Sequence, residues 1–183
     1  YYEIPFDEYA IAMFHPVTTE ANEMQLYANN FVDALILDHH NYVIVFPNND
    51  LGSRYIIDAY QKIKDNARFR IFPSLRFEYF LTLLKNAQFI IGNSSAGIRE
   101  APYYGIPIIN IGTRQQNRVV NADIINVDYN SGGIIKAMNL VQNKTMQSIQ
   151  NEFGDGNSTE LFLEVLMSDT VWKLNHQKQF RDI

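Results

Sequence analysis

Phe89-Ile90-Ile91-Gly92-Asn93-Ser94-Ser95-Ala96-Gly97-Ile98-Arg99-Glu100 passes from an apolar strand, through small and polar residues, into a helix. A strand that turns directly into a helix is the repeating unit of a parallel α/β sheet. The same alternation continues on both sides. Toward the N-terminus, apolar runs at Ala10–Phe14, Tyr42–Phe46 and Arg68–Phe72 read as strands buried on both faces. Between them, apolar residues spaced by three or four predict helices over Asn22–His39, Ser53–Lys64 and Arg76–Ala87. Thr18, Thr19 and Glu20 offer caps for the first of these. Toward the C-terminus, a helix over Ala96–Tyr104 leads to strands at Pro107–Ile111 and Ile124–Val127, then to a helix over Gly133–Gln150. Beyond it the pattern is only helical, Ser158–Met167 and then Val171–Arg181. The expected fold class is therefore α/β, a Rossmann-like three-layer parallel sheet with helices on both faces and right-handed connections. Residues 1–157 form this domain, and 158–183 a helical tail packed on it or on a further part of a longer protein.

Composition excludes several classes. The 183 residues are 46% hydrophobic and 19% charged, which describes a folded chain rather than a disordered one. The net charge is −5 and no block of Lys or Arg stands out, so nucleic acid is not the expected partner. There is no cysteine, hence no disulfide, thiolate nucleophile or Cys-zinc site. No apolar run approaches the ~20 residues of a membrane span, and a cytoplasmic location without a membrane partner is expected. No cluster has metal-ligand spacing, so neither metal nor cofactor is expected. The opening Tyr1-Tyr2-Glu3-Ile4-Pro5 reads as the interior of a longer polypeptide.

In open parallel sheets, ligands bind outside the carboxyl ends of the strands. At one such end, Asn93, Ser94, Ser95 and Gly97 precede and open a helix. Free N–H groups and the helix dipole there suit an anion such as a diphosphate, with hydroxyl donors from Ser94 and Ser95. Gly97 would let a ligand approach the backbone. The competing reading makes the two serines simple helix caps. Glu100, six residues past Ser94, is placed to accept both hydroxyls of a ribose diol; the competing reading is an ordinary surface glutamate. His15 ends the first strand, where an imidazole can donate to phosphate or act as general acid, or be merely structural. Arg114 and Arg118 lie on the loop after Pro107–Ile111 and suit phosphate, or are solvated loop charges. Asp50 closes the second strand in a turn. Phe77 and Phe80 open the third helix, where an aromatic stacks on a base or packs in the core.

Five ordered motifs carry a resemblance. They are His15-Pro16-Val17-Thr18-Thr19, Phe46-Pro47-Asn48-Asn49-Asp50-Leu51-Gly52-Ser53, the Gly92–Glu100 stretch, Gly105-Ile106-Pro107-Ile108-Ile109-Asn110-Ile111-Gly112-Thr113-Arg114-Gln115, and Phe153-Gly154-Asp155-Gly156-Asn157. Together they resemble the C-terminal half of the UDP-N-acetylglucosamine 2-epimerases, more closely the hydrolysing branch. The resemblance implies one half of a glycosyltransferase-B fold, with the active site in a cleft shared with an N-terminal domain. It implies that Ser94 and Ser95 hold the UDP diphosphate, Glu100 the ribose, and Phe80 the uracil region. It further implies that His15 is required for activity and that Arg114 lies in the cleft. Asp50, Asn93, Gly97 and Arg118 would support that cleft.

The implied reaction converts UDP-GlcNAc to ManNAc and UDP through 2-acetamidoglucal, for sialic-acid-type sugars. Its proton-moving carboxylates would lie in the missing half. This chain alone would then bind UDP weakly and be inactive, and the full-length protein would be a homo-oligomer. The tail, with Val171, Trp172, Leu174 and Phe180, would dock on the missing half. Alternatives are a non-hydrolysing epimerase, an epimerase of a related diacetamido sugar, a glycosyltransferase with the same half-fold, and a nucleotide-sugar sensor.

Overall fold

Six strands line up as β3-β2-β1-β4-β5-β6, and every neighbouring pair is parallel. They are β1 (Ala10–Met13), β2 (Tyr42–Val45), β3 (Phe69–Phe72), β4 (Ile90–Gly92), β5 (Ile108–Ile111) and β6 (Ile124–Val127). The structure is a computed structural model and describes residues 2–118, 123–141 and 153–174. It divides into two units, 1–150 and 151–183.

Strand side chains alternate between two cores. Ala10, Ala12, Ile44, Ile91 and Ile109 face one side; Ile11, Val43, Ile90 and Ile108 face the other. The first face is covered by α1 (Met24–Leu37), α2 (Ser53–Tyr60) and α5 (Ser131–Val141), through Phe31, Leu35, Ile56, Tyr60, Ile134 and Met138. The second is covered by α3 (Phe77–Lys85) and α4 (Ala96–Tyr103), through Phe80, Leu84, Ile98 and Ala101. This is the expected three-layer Rossmann-like α/β fold. Each fully buried large apolar side chain contributes about 1.5–3 kcal/mol, which is why continuous apolar strands settle at the centre.

Several boundaries differ from the sequence expectation. Thr18–Glu20 forms a short 3-10 turn, and α1 starts at Met24 without a side-chain cap. Glu20 instead accepts a hydrogen bond from the Thr113 hydroxyl, far along the chain. The helix expected to reach Lys64 ends at Tyr60, because Gln61, Lys62 and Ile63 tighten to i−3 hydrogen bonds. The helix expected from Gly133 starts at Ser131, because the Asn130 side chain accepts the Gly133 N–H at 2.7 Å. Its expected continuation over 142–150 lies outside the described residues.

Two helix ends aim the chain. The chain leaving α1 is held by Arg68, which donates to the Ile36, Asp38 and His40 carbonyl oxygens at 2.9, 2.6 and 3.0 Å. At the end of α4, Gly105 has φ 67, and Ile106 N–H bonds the Ala101 carbonyl. That left-handed closure turns the chain straight into β5.

The second unit, described on its own, holds α6 (Ser158–Met167) and α7 (Asp169–Trp172). Trp172 is 68% exposed, and its indole N–H donates to Leu166 O at 2.8 Å. The helix expected from Val171 begins at Asp169, and the part of that expectation over 175–181, with Phe180, lies outside the described residues. Among the described residues no helix is long and apolar enough to cross a membrane.

Candidate functional site

The strand order reverses between β1 and β4, and that switch point is where an open α/β sheet forms its crevice. The last pair in that ladder is Met13 with Gly92. Gly92 has φ 136, and a Cβ on it would lie 1.9 Å from the Met13 carbonyl oxygen, so only glycine fits. Just past it, the fully buried Asn93 side chain grips both backbone groups of His15. The His15 N–H donates to Asn93 Oδ1 at 2.7 Å, and Asn93 Nδ2 donates to His15 O at 2.8 Å.

The His15 ring is set from the β2 side. Its Nδ1 accepts the Asn48 N–H at 3.2 Å, so the neutral ring carries its proton on Nε2. Burial and the Arg114 charge push the His15 pKa down to about 4, against the pull of Asp50. At neutral pH His15 is therefore an uncharged Nε2–H donor. Asp50 is exposed and accepts from the Asn48 side chain.

The loop after β5 closes over the same point. Arg114 Nη1 and Gln115 Nε2 donate to the Asn93 carbonyl at 3.1 and 2.8 Å. Burial, and then Arg118, lower the pKa of Arg114 from its ordinary value. Arg118 itself is exposed. The loop is tied down by the Thr113 hydroxyl on Glu20 and by Tyr129, which stands against Gly112 and Thr113.

At the start of α4, the N–H groups of Ser94 and Ser95 have no acceptor among the described residues. Ser94 Oγ accepts the Ala96 N–H at 3.3 Å, a long cap bond, while the Ser95 side chain makes none. The two serines thus differ: Ser94 caps, and the Ser95 hydroxyl has no partner among the described residues. Gly97 is buried against β5, where an added Cβ would meet Ile108 at 3.4 Å. It therefore faces the sheet instead of opening the backbone to a ligand.

Beside Ser95 opens a cavity of about 280 Å³, walled by Val45, Leu75, Phe77 and Phe80, with Ser95 and Glu100 as its polar groups. Phe80 is both core residue and cavity wall. Glu100 Oε2 is buried without a donor among the described residues, and burial raises the Glu100 pKa. An apolar aromatic recess, a carboxylate with one buried oxygen unpartnered, N–H groups without an acceptor among the described residues and an arginine lie at the carboxyl ends of the strands. Such groups can pack a flat ring, accept from hydroxyls and hold an anion.

The sequence profile of the family described as UDP-N-acetylglucosamine 2-epimerase matches residues 2–167. The chain belongs to this epimerase family. A UDP-N-acetylglucosamine 2-epimerase from Neisseria meningitidis serogroup B is 45% identical over 186 residues, covering 100% of this chain and 49% of that protein. A hydrolysing UDP-N,N'-diacetylbacillosamine 2-epimerase from Legionella pneumophila is 27% identical, covering 88% of this chain and 43% of its own length. The chain spans about half the length of the curated relatives it matches. The Methanocaldococcus jannaschii UDP-GlcNAc 2-epimerase, solved with UDP-GlcNAc and UDP, superposes with TM-score 0.70 at 22% identity, over 87% of this chain and 45% of that one. That likeness shows the fold: the six-stranded parallel sheet with its helices is a glycosyltransferase-B-like arrangement.

Three features of this site had little signal in sequence. Gln115 and Asn48 look like ordinary loop residues until β2, β4 and β5 bring them to His15 and Asn93. The need for glycine at Gly92 depends on its distance to Met13. One further polar group, Asp38 with His39 and His40, brings metal-ligating atoms within 4.8 Å of one another at the opposite edge of the sheet, although the sequence shows no metal-ligand spacing. Asp38 Oδ2 there already accepts from Tyr42 OH, His40 N and His40 Nδ1 at 2.6, 3.1 and 2.7 Å. The group serves the α1 terminus.

Proposed function

We propose that this chain is the UDP-binding half of a hydrolysing UDP-N-acetylglucosamine 2-epimerase. One observation carries the reading: Ser95, the Glu100 carboxylate, whose Oε2 has no donor among the described residues, and Phe80 wall a single cavity. Uracil lies against Phe80, the ribose hydroxyls donate to Glu100, and the diphosphate meets the Ser94 and Ser95 N–H groups. Arg114 and the His15 Nε2–H complete the anion site. Asp50 and Arg118 lie at its mouth and tune its charge.

In the reaction, a base takes the C2 proton while the C1–O bond breaks and UDP departs, leaving 2-acetamidoglucal. Water then supplies a proton to C2 from the other face and hydroxide to C1, releasing ManNAc, a starting material for sialic-acid-type sugars. The residues here stabilise the charge that develops on the departing diphosphate. A neutral His15 does so by donating a hydrogen bond, not by giving up its proton. The carboxylates that move protons belong to the other half of a two-domain protein, so the 183-residue chain binds UDP and does not turn over.

The Legionella relative favours a second reading of the sugar, in which a diacetamido sugar replaces GlcNAc. Two experiments test the proposal. Calorimetry of the chain with UDP, UMP and NAD should give binding for UDP that weakens for UMP. NMR of a two-domain protein fed each UDP-sugar should show free ManNAc or its diacetamido counterpart with UDP. UDP-ManNAc as the final product would replace the hydrolysing reading with the non-hydrolysing one, and intact UDP-GlcNAc would favour a transferase.

A further inference from the structure

Asn93 makes more of its bonds than a residue merely lining a site. Its N–H donates to Met13 O at 3.0 Å. Its side-chain oxygen accepts the His15 N–H, and its side-chain nitrogen donates to the His15 carbonyl. Its own carbonyl accepts from both Arg114 and Gln115. All four polar groups are thus occupied, and the residue is 0% exposed.

The geometry has a simple origin. The β1–β4 ladder ends at Met13 and Gly92, where the two strands part at the switch point. His15 lies past that end and has no β4 backbone to pair with. The carboxamide of Asn93 carries one acceptor and one donor in a plane, as a peptide group does. It supplies a further rung made of side chain. Aspartate would lack the donor, and serine the second polar atom.

We infer that Asn93 is the positioning residue of this site, holding His15 and Arg114 in one fixed relation before any ligand arrives. It is buried too deep to touch the ligand and acts through the other two. The inference takes its purpose from the nucleoside-diphosphate reading, but its geometry stands without it. The ring that it holds faces Arg114 and Asp50, and Asn48 from the β2 end. Losing the rung frees the His15 backbone, and with it the ring's burial and its single tautomer.

The test uses the 183-residue chain. Hydrogen exchange on the unaltered protein should slow the His15 amide by at least about 100-fold, as expected for a buried bonded N–H. An unprotected His15 amide overturns the inference. In Asn93→Leu, which keeps the shape and removes the rung, two-bond imidazole NMR should show mixed His15 tautomers and titration moved toward the ordinary histidine range. UDP should then bind about tenfold more weakly. A folded Asn93→Leu with an unchanged His15 ring spectrum overturns the inference, since a merely structural residue would lower stability and leave the ring alone. If Asn93→Leu does not fold, the exchange result on the unaltered chain decides. If the unaltered chain fails to bind UDP, the nucleotide reading falls, while exchange and ring spectrum still decide the role of Asn93.

Discussion

Gly92 lies so close to Met13 that the missing Cβ would stand 1.9 Å from the Met13 carbonyl oxygen. Neither backbone can move without opening the β1–β4 ladder. Gly92→Ala should therefore cost about 3 kcal/mol or more, combining strain at positive φ with overpacking. Gly105 is the control. It also has positive φ, but nothing lies within 4 Å of its Cβ position. Gly105→Ala should cost only about 1–2 kcal/mol. Denaturant midpoints of the two variants check the difference, and equal losses would refute it.

Glu100 should trade stability for binding. Burial raises its pKa above 4.5, so through the window above pH 4.5 the folded chain holds more proton than the unfolded one. Stability then falls as pH rises through that window. Glu100→Gln removes this slope and should be the more stable protein at pH 7. It should also bind UDP about tenfold more weakly, because a neutral amide is a poorer acceptor for two hydroxyls. Melting curves across pH and calorimetry check both halves; a Gln variant that binds UDP as well as the original would remove Glu100 from the site.

His15 should give the opposite slope. Its pKa is about 4 in the folded chain, against 6.5 for an ordinary histidine. Between those values the unfolded chain carries the extra proton. Stability is thus complete above pH 6.5 and is lost as pH falls toward 4, with a slope approaching about 1.4 kcal/mol per pH unit. His15→Asn, which does not titrate, should lack it. Identical pH–stability curves for the two proteins would show that the ring is not buried as described.

The parallel sheet was legible because strands buried on both faces must be apolar throughout, as Val43 and Ile44, Ile90 and Ile91, and Ile108 and Ile109 are. The edge that carries the site was legible for the same reason: polar residues had nowhere else to gather. Boundaries were less legible where the decisive partner is remote. Glu20 looks like a helix cap until Thr113, 93 positions away, takes its carboxylate. Gly97 looks like a ligand-facing glycine until Ile108 is placed against it. Asn93 reads as one more polar loop residue, because nothing local shows that the ladder ends two residues before His15. Protonation was the least legible property, since the state of His15 follows from burial and from Arg114 on another loop.

The two ends of the site can be separated by ligand. Phe80 walls the cavity and also belongs to the core, at 7% exposure. Phe80→Ala would confuse packing with binding, costing about 3–5 kcal/mol of stability. Phe80→Leu keeps most of the volume and should cost less than about 1.5 kcal/mol. It removes the aromatic face, so UDP and UMP should both weaken by about 3- to 10-fold and by the same factor. Arg114→Ala acts at the other end. It removes a cation from the diphosphate end, so UDP should weaken by about tenfold or more while UMP changes much less. Calorimetry of both ligands on both variants gives four numbers. If Phe80→Leu weakened UDP alone, or Arg114→Ala weakened both ligands equally, the order of base, ribose and diphosphate along this edge would be wrong.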